Sequence, residues 1–401
     1  MKRNLFLFSG ILALSLTANA QELKEEYMTW PNSQGLGEYA SQWTPGEYLF
    51  EDENFYISRV KPKARFRNAN TQINETLTEE TDKNLVFWVP IGTASGGNPN
   101  ARPNGKFDSE VFSMWSYVTH YGNWTAPQGW VPGGFADAAH KNGVGVSGVA
   151  SIPWGSLSSD WATALDNMSK NATIREKVAK FLHYHGVDGL GYNSEFNTSN
   201  TTMLSNVRAL NEEVHKYLTE QGNPVAENFW YDGTNDNGQI NFDQGLGSHN
   251  NETFGDGEHI RTSLFLNYNW WGIPLSTFNE ATINSQAPGR SLLDLYAGFN
   301  MQGGDPSTWT LLEDYNVSIG LWGAHDFNML WADRANYGST DMSKQLGYQN
   351  VIEQFFSNGR RNPIDKIAVF DRGSHHPNEG WFGMSAFMTA RSSLSWDLAT
   401  E

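Results

Sequence analysis

The chain has no cysteine among its 401 residues. Disulfides, thiolate metal sites and lipid-bearing cysteines are therefore excluded, and with them the small stapled secreted domain. Positive charge is also scarce. Lys and Arg number 27 against 44 Asp and Glu, giving a formal charge of −17. A surface of that sign repels nucleic acid and anionic lipid, so neither is expected as a partner. Beyond the first twenty residues no apolar run is long enough to span a bilayer, and no membrane insertion is expected.

The amino terminus reads "MKRNLFLFSGILALSLTANAQEL". Lys2 and Arg3 form a basic start, Leu5 to Leu16 an apolar stretch, and Ala18-Asn19-Ala20 a small-x-small cleavage site. That order reads as a secretory signal peptide over residues 1–20, too short and wrongly flanked for an anchor. Cleavage after Ala20 leaves 381 residues and, with two positive charges gone, a formal charge of −19. A cysteine-free exported protein of this size fits a bacterial periplasmic or extracellular enzyme. Aromatics are plentiful: 16 Trp, 15 Tyr and 23 Phe. On an acidic chain such a surplus points to sugar rings stacked on aromatic faces, with core packing accounting for about half of it.

Residues 21–82 are polar and irregular and read as a lead-in that wraps a domain. A rhythm of short strand-like runs then begins: "NLVFWVPIG", "EVFSMWSYVTHY", "GVGVSGVASIP", "GVDGLGYNSEF", "PVAENFWYDG", "TSLFLNYNWW", "SLLDLYAGFN" and "NVSIGLWGAH". Helical patterns such as "NATIREKVAKFLHYHG" and "SNVRALNEEVHKYLTEQG" lie between several of them, and Gly143, Gly186 and Gly222 stand where helices should stop. Eight strands alternating with helices predict a (β/α)₈ barrel, a TIM barrel in the α/β class. We expect it over residues 83–360, ending in a helix at "LGYQNVIEQFFSNG", with a short C-terminal extension over 361–401. The second strand and the loops after the fifth and sixth are the least defined.

The fourth run ends in "DGLGYNSE", Asp188 to Glu195. Catalytic side chains of such barrels sit at the C-terminal ends of strands. Residues two apart on a strand share a face, so Asn193 and Glu195 are expected to point together into the barrel mouth. A glutamate there suits an acid that protonates a departing glycosidic oxygen. The plainer alternative makes Glu195 a solvated loop residue and Asn193 a helix cap. Two acids would be the usual glycosidase pattern. Here the acid two places before the glutamate is an amide.

Chitinase-type family 18 enzymes end their fourth barrel strand with Asp-Gly-x-Asp-x-Asp-x-Glu, whereas this chain reads Asp-Gly-x-x-x-Asn-x-Glu, with Asn193 where the acid before the glutamate would stand. The sequence resembles glycoside hydrolase family 85, the endo-β-N-acetylglucosaminidases that cut the chitobiose core of N-glycans. "NFWYDG" (228–233) is similar to the family's Trp-Tyr-Asp segment and "FLNYNW" (265–270) to its Phe-x-Asn-Tyr-x-Trp. "DLYAGFNMQGG" (294–304) is similar to its Tyr-x-Gly-x-Asp-x-x-Gly stretch. The resemblance implies a retaining, substrate-assisted hydrolase. The sugar's own 2-acetamido group would be the nucleophile and close an oxazoline, Asn193 would orient it, and Glu195 would be the acid. Tyr231 would hydrogen-bond the acetamide and Trp270 would line the sugar site. Trp230, Asn267, Tyr296 and Trp322 fall among the expected substrate-facing residues, and Phe242 stands where the family has a tryptophan. Asn300 replaces the family's aspartate, and residues 301–304 replace a Phe-Gly-Arg-Gly.

N-glycans of glycoproteins are the implied partners. No cofactor and no metal are expected. His375-His376 has no carboxylate cluster at ligand spacing. "IGTASGGNPN" lacks the strand and helix context of a nucleotide loop. His183 and His185 are expected to be solvated at a helix end, and Asp188 to support the start of its strand beneath the site. Two other readings stay open: a chitinase-like hydrolase of N-acetylglucosamine polymers, and a non-catalytic glycan-binding barrel.

Overall fold

The computed structural model describes residues 35–49, 53–64, 83–89, 118–124, 128–272, 277–300, 311–312 and 315–322. The signal peptide, much of the lead-in, "IGTASGGNPN", residues 301–304, the helix at "LGYQNVIEQFFSNG", His375-His376 and the 361–401 extension lie outside them.

Numbered in chain order, the strands are β1 (Leu85–Val89), β2 (His120–Asn123), β3 (Gly145–Ser151), β4 (Trp154–Ser156), β5 (Gly189–Tyr192), β6 (Glu195–Asn197), β7 (Phe229–Tyr231), β8 (Ser263–Phe265), β9 (Leu295–Asn300) and β10 (Ser318–Trp322). Eight of them close a barrel in the order β1-β2-β3-β5-β7-β8-β9-β10, and β10 pairs back onto β1 from Leu85↔Ile319. Every pairing is parallel, as in the expected (β/α)₈ fold. The remaining strands, β4 and β6, form a separate two-stranded sheet.

A parallel barrel strand is covered on both faces, so its sequence is apolar throughout and alternation decides only which core it enters. Leu85 and Phe87 join the layer between barrel and helices, while Val86 and Trp88 point into the lumen with Val149, Phe229, Tyr231, Phe265 and Tyr296. Trp88 fits because Gly122 and Gly191 face it. A Cβ at those positions would lie 2.1 and 1.9 Å from the indole.

Outside the barrel lie α1 (Gly35–Gln42), α2 (Gly133–Lys141), α3 (Ser159–Ser169), α4 (Ala172–His185), α5 (Thr201–Glu220), α6 (Asn251–Phe254) and α7 (Glu280–Gln286). Asn171 and Asn200 cap α4 and α5 through side chains that accept the backbone N–H groups of Ile174 and Met203. Gly143, Gly186 and Gly222 follow α2, α4 and α5 at φ values of 68°, 72° and 81°, as helix stops require.

Two expectations need correction. The second strand lies at His120–Asn123, starting on the last two residues of the run predicted for it and passing beyond it, because pairing with β1 begins at Val86↔His120. The connections after β7 and β8, the least defined in the sequence, hold the four-residue α6 and the seven-residue α7 among their described residues. His185 is buried, not solvated. It continues the inward stripe of Val178, Phe181 and Leu182 on α4, and its Nε2 lies 3.0 Å from Glu53 Oε1. The lead-in thus docks where the helix ends, and Ser58 N donates to the His185 carbonyl at 3.1 Å. His183 is exposed.

Candidate active site

Strand β5 ends at Tyr192, and the next three residues turn sharply. Asn193 N donates to Ser151 O (2.9 Å) and Glu195 N donates back to Asn193 O (2.9 Å). Ser194 faces the barrel wall, wholly buried, with its Oγ donating to Tyr231 O at 2.7 Å. Glu195 then enters β6, in register with Trp154 of β4. With Ser194 pinned, Asn193 and Glu195 share the opposite side. Asn193 Nδ2 donates to Glu195 Oε2 at 3.0 Å, and both residues are half-buried.

They line a cavity of about 660 Å³ at the C-terminal end of the barrel. Its floor holds Trp88, Phe229 and Phe265, and its sides hold Trp124, Ile152, Tyr192, Tyr231, Tyr268 and Trp322. Trp154, 83% exposed, stands at the rim. Among the described residues lining this cavity, Glu195 is the one carboxylate. Aromatic walls with a few convergent polar groups are what a sugar-binding cleft requires.

Tyr231 closes the side next to the pair. Asn267 Nδ2 donates to its hydroxyl oxygen at 2.7 Å. Burial first, and then the charge of Glu195, hold that hydroxyl far above the ordinary tyrosine value, so it keeps its proton. The neighbouring Asp232 is buried, and burial pushes its carboxyl up to about 8 against the backbone N–H donors that lower it. Its Oδ2 accepts Gln244 N at 2.6 Å. Asp188 lies below, as expected, with Val146 N (2.7 Å), His140 Nε2 (2.9 Å) and Asn223 Nδ2 (2.7 Å) on its carboxylate.

Of the residues expected at the substrate, Asn193, Glu195, Tyr231 and Trp322 come together around the cavity. Phe242 is half-buried and packs edge-on against Tyr231, with ring centres 6.1 Å apart. The others are corrections. Trp270 is fully buried in a 3₁₀ turn after β8, its indole N–H on Gly298 O (2.8 Å), leaving no face for a sugar. Trp230 alternates with Phe229 and Tyr231, so it points outward and packs on Tyr192 and Phe196. Tyr296 points inward but sits low in the barrel, its hydroxyl donating to Glu227 Oε1 at 2.8 Å. Asn267 lies behind Tyr231 and is 9% exposed. Sequence reasoning missed Trp88, Trp124, Trp154 and Tyr268. Tyr268 stands inside "FLNYNW", two residues before the tryptophan chosen in its place.

The family model described as Glycosyl hydrolase family 85 matches residues 97–396. The chain belongs to glycoside hydrolase family 85. Among solved structures, the family 85 chain is similar to the glycoside hydrolase domain of Endo-D from Streptococcus pneumoniae R6, at 23% identity and a TM-score of 0.60. That match covers 88% of this chain and 53% of the other, so this chain spans about half the length of that protein. Weaker matches, at 13% and 14% identity and TM-scores of 0.32 and 0.33, are the spore cortex-lytic enzyme SleL of Bacillus megaterium and the C-terminal domain of a chitinase homologue from Desulfitobacterium hafniense. They cover 56% and 55% of this chain and 52% and 66% of theirs. No curated protein matches the sequence. Among the described residues no group of three His, Asp or Glu side chains could hold a metal ion, and no helix is long and apolar enough to cross a membrane.

Proposed function

We propose that this family 85 chain is a retaining, substrate-assisted endo-β-N-acetylglucosaminidase that cleaves the GlcNAc-β-1,4-GlcNAc core of N-glycans on glycoproteins. The observation that carries this reading is the Asn193–Glu195 pair, joined at 3.0 Å, in a cavity whose described lining offers no second carboxylate. Glu195, as the acid, gives its proton to the glycosidic oxygen while the C1–O bond breaks. The 2-acetamido oxygen bonds to C1 and closes an oxazolinium ring. Asn193 Nδ2 is turned to Glu195, which leaves its Oδ1 to accept the acetamide N–H and fix the attack geometry. The Tyr231 hydroxyl donates to the acetamide oxygen and spreads the charge. Glu195, now a carboxylate, takes a proton from water as that water opens the ring at C1. Two inversions preserve the β configuration. Holding an internal nucleophile in place can lower a barrier by up to about 7–11 kcal/mol.

Mass spectrometry of both products from a high-mannose glycoprotein tests the reading. One N-acetylglucosamine should remain on the protein. An intact glycoprotein together with cleaved chitin oligosaccharides would support the polymer hydrolase instead, and binding without cleavage would support a lectin. We also infer export with cleavage after Ala20, on the pattern of residues 1–20. An exported protein whose mass still includes Met1 would overturn it.

A further inference from the structure

Behind Tyr231, on the side away from the cavity, runs a chain of polar side chains that the reaction steps above do not use. Asn267 Nδ2 donates to the Tyr231 oxygen at 2.7 Å, and Gln244 Nε2 donates to Asn267 Oδ1 at 3.0 Å. Asn269 N points at the same Oδ1 from 3.3 Å. Each amide has its direction imposed by the next. Gln244 Oε1 is buried with no hydrogen-bond donor among the described residues, so only its amino side has a partner, and that partner is an acceptor. The Asn269 N–H can only donate, so the Asn267 atom it faces is the oxygen, and the Asn267 amino group is turned to Tyr231. Tyr268 stands beside Tyr231 in the cavity wall, with ring centres 5.9 Å apart. With the Asn267 amino group donating to its oxygen, Tyr231 has its own proton left to give, and it lines the cavity.

The backbone behind this arrangement is strained and pinned. Phe242 and Gln244 are the non-glycine residues with left-handed backbone among those described, at φ values of 44° and 62°. Such conformations persist where their surroundings enforce them. Asp232 does so here: its buried carboxylate accepts the Gln244 backbone N–H at 2.6 Å and also those of Asp243 and Asn267. One side chain thus fixes both ends of the Gln244–Asn267 bond.

We propose that Gln244 and Asn267, clamped by Asp232, are positioning residues that set the direction of the Tyr231 hydroxyl proton towards the substrate. This rests on the reading of Tyr231 as the group that donates to the acetamide. The polarity of the chain, and not its packing, is what the inference assigns, so isosteric changes that reverse polarity test it.

In Asn267→Asp the carboxylate faces Tyr231 with an acceptor and draws its proton away from the cavity. In Gln244→Glu an ionised carboxylate confronts Asn267 Oδ1, whereas the protonated acid still donates to it. Steady-state kcat and KM on a high-mannose glycopeptide would be measured for both, for Tyr231→Phe and for each double variant, with melting temperatures alongside. Asn267→Asp should lower kcat roughly tenfold, the worth of one lost hydrogen bond in the transition state, with KM little changed. It should add almost nothing in the Tyr231→Phe background. Gln244→Glu should regain kcat relative to wild type as the pH falls, which a purely structural role would not produce. Multiplying losses in the Asn267→Asp/Tyr231→Phe double variant would overturn the proposal, as would full kcat in Asn267→Asp. Should Asn267→Asp not fold, Gln244→Glu decides alone: unchanged kcat, or a loss that ignores pH, rejects the relay. A Tyr231→Phe variant with full activity would instead sink the reading of Tyr231 on which the relay depends.

Discussion

The two ends of the barrel hold opposite kinds of polar chemistry. At the mouth, Asn193 and Glu195 stand half-buried against a cavity of about 660 Å³ with aromatic walls. At the floor, a smaller cavity of about 310 Å³ is lined by His120, Glu227, Arg290, Asp294 and their neighbours. An acid and a base are both perturbed at the floor: burial pushes Glu227 up to about 7 and His120 down to about 4. Perturbed groups are often taken to mark function. Here the floor groups are occupied with one another. Glu227 accepts from Ser263 Oγ (2.6 Å) and Tyr296 Oη (2.8 Å), and His120 Nε2 lies 2.6 Å from Ser147 Oγ. What separates a site from a support is therefore unspent hydrogen-bonding capacity beside open space. In a barrel that capacity belongs at the C-terminal ends of the strands.

The sharpest way to break this contrast is to neutralise one carboxylate at each end. Glu195→Gln should cost about 10²–10⁴-fold in hydrolysis, the usual worth of a positioned proton donor, with an unchanged melting temperature. Glu227→Gln should leave kcat and KM near wild type. Glycan release assays on both variants decide the matter, and comparable losses would show that the two ends are not separate in function. A smaller effect is expected at Asn193. Asn193→Ala should slow cleavage of an intact glycan by roughly 10²–10³-fold, in the range of a lost transition-state hydrogen bond. It should slow hydrolysis of a supplied glycan oxazoline much less, because that ring is already closed. Equal losses on both substrates would make Asn193 a support like those at the floor.

The sequence made the strand ends readable but not the height or direction of each side chain. Asn193 and Glu195 were found because a two-residue period and the barrel rule meet at one strand end. Tyr231 followed from its motif, yet Trp230 in the same motif was misread, although alternation sends it to the opposite face. His185 was misread for a similar reason, since residues 178, 181, 182 and 185 form one helical stripe. Tyr296 shows the harder limit. It does face the lumen, but nothing local states how far a residue lies from the mouth when both strand faces are apolar. Trp270 lies past the strand end, where a 3₁₀ turn folds it under Gly298. It now carries a core prediction: Trp270→Ala should cost about 3–5 kcal/mol of stability, with a normal KM in the folded fraction. Denaturant unfolding and kinetics on the same sample check this. A raised KM with wild-type stability would return Trp270 to the sugar site.

The smallest expected effect is the part of the pH dependence of stability that Glu227 contributes at the floor. Burial raises Glu227, the charge of Asp294 adds to this, and Ser263, Tyr296 and Arg290 oppose it. A raised carboxyl means that the folded protein holds the proton more tightly than the unfolded chain does. Its contribution is fully present below the ordinary value of 4.5 and is lost as pH rises through about 7. His120 acts in the opposite sense. Burial lowers it from 6.5 to about 4, so its folded form resists protonation and stability is lost as pH falls through that interval. Between pH 4.5 and 6.5 the two slopes oppose one another, and above 6.5 that of Glu227 stands without its partner's. Asp232, also raised, has the same sign as Glu227 and would confuse a single curve. Subtraction removes it: unfolding free energies of wild type and Glu227→Gln, measured from pH 4 to 9, should differ by an amount that changes between about 4.5 and 7 and is flat outside. The glutamine variant should gain relative stability as pH rises. A flat difference across the whole range would mean that burial does not raise the Glu227 carboxyl.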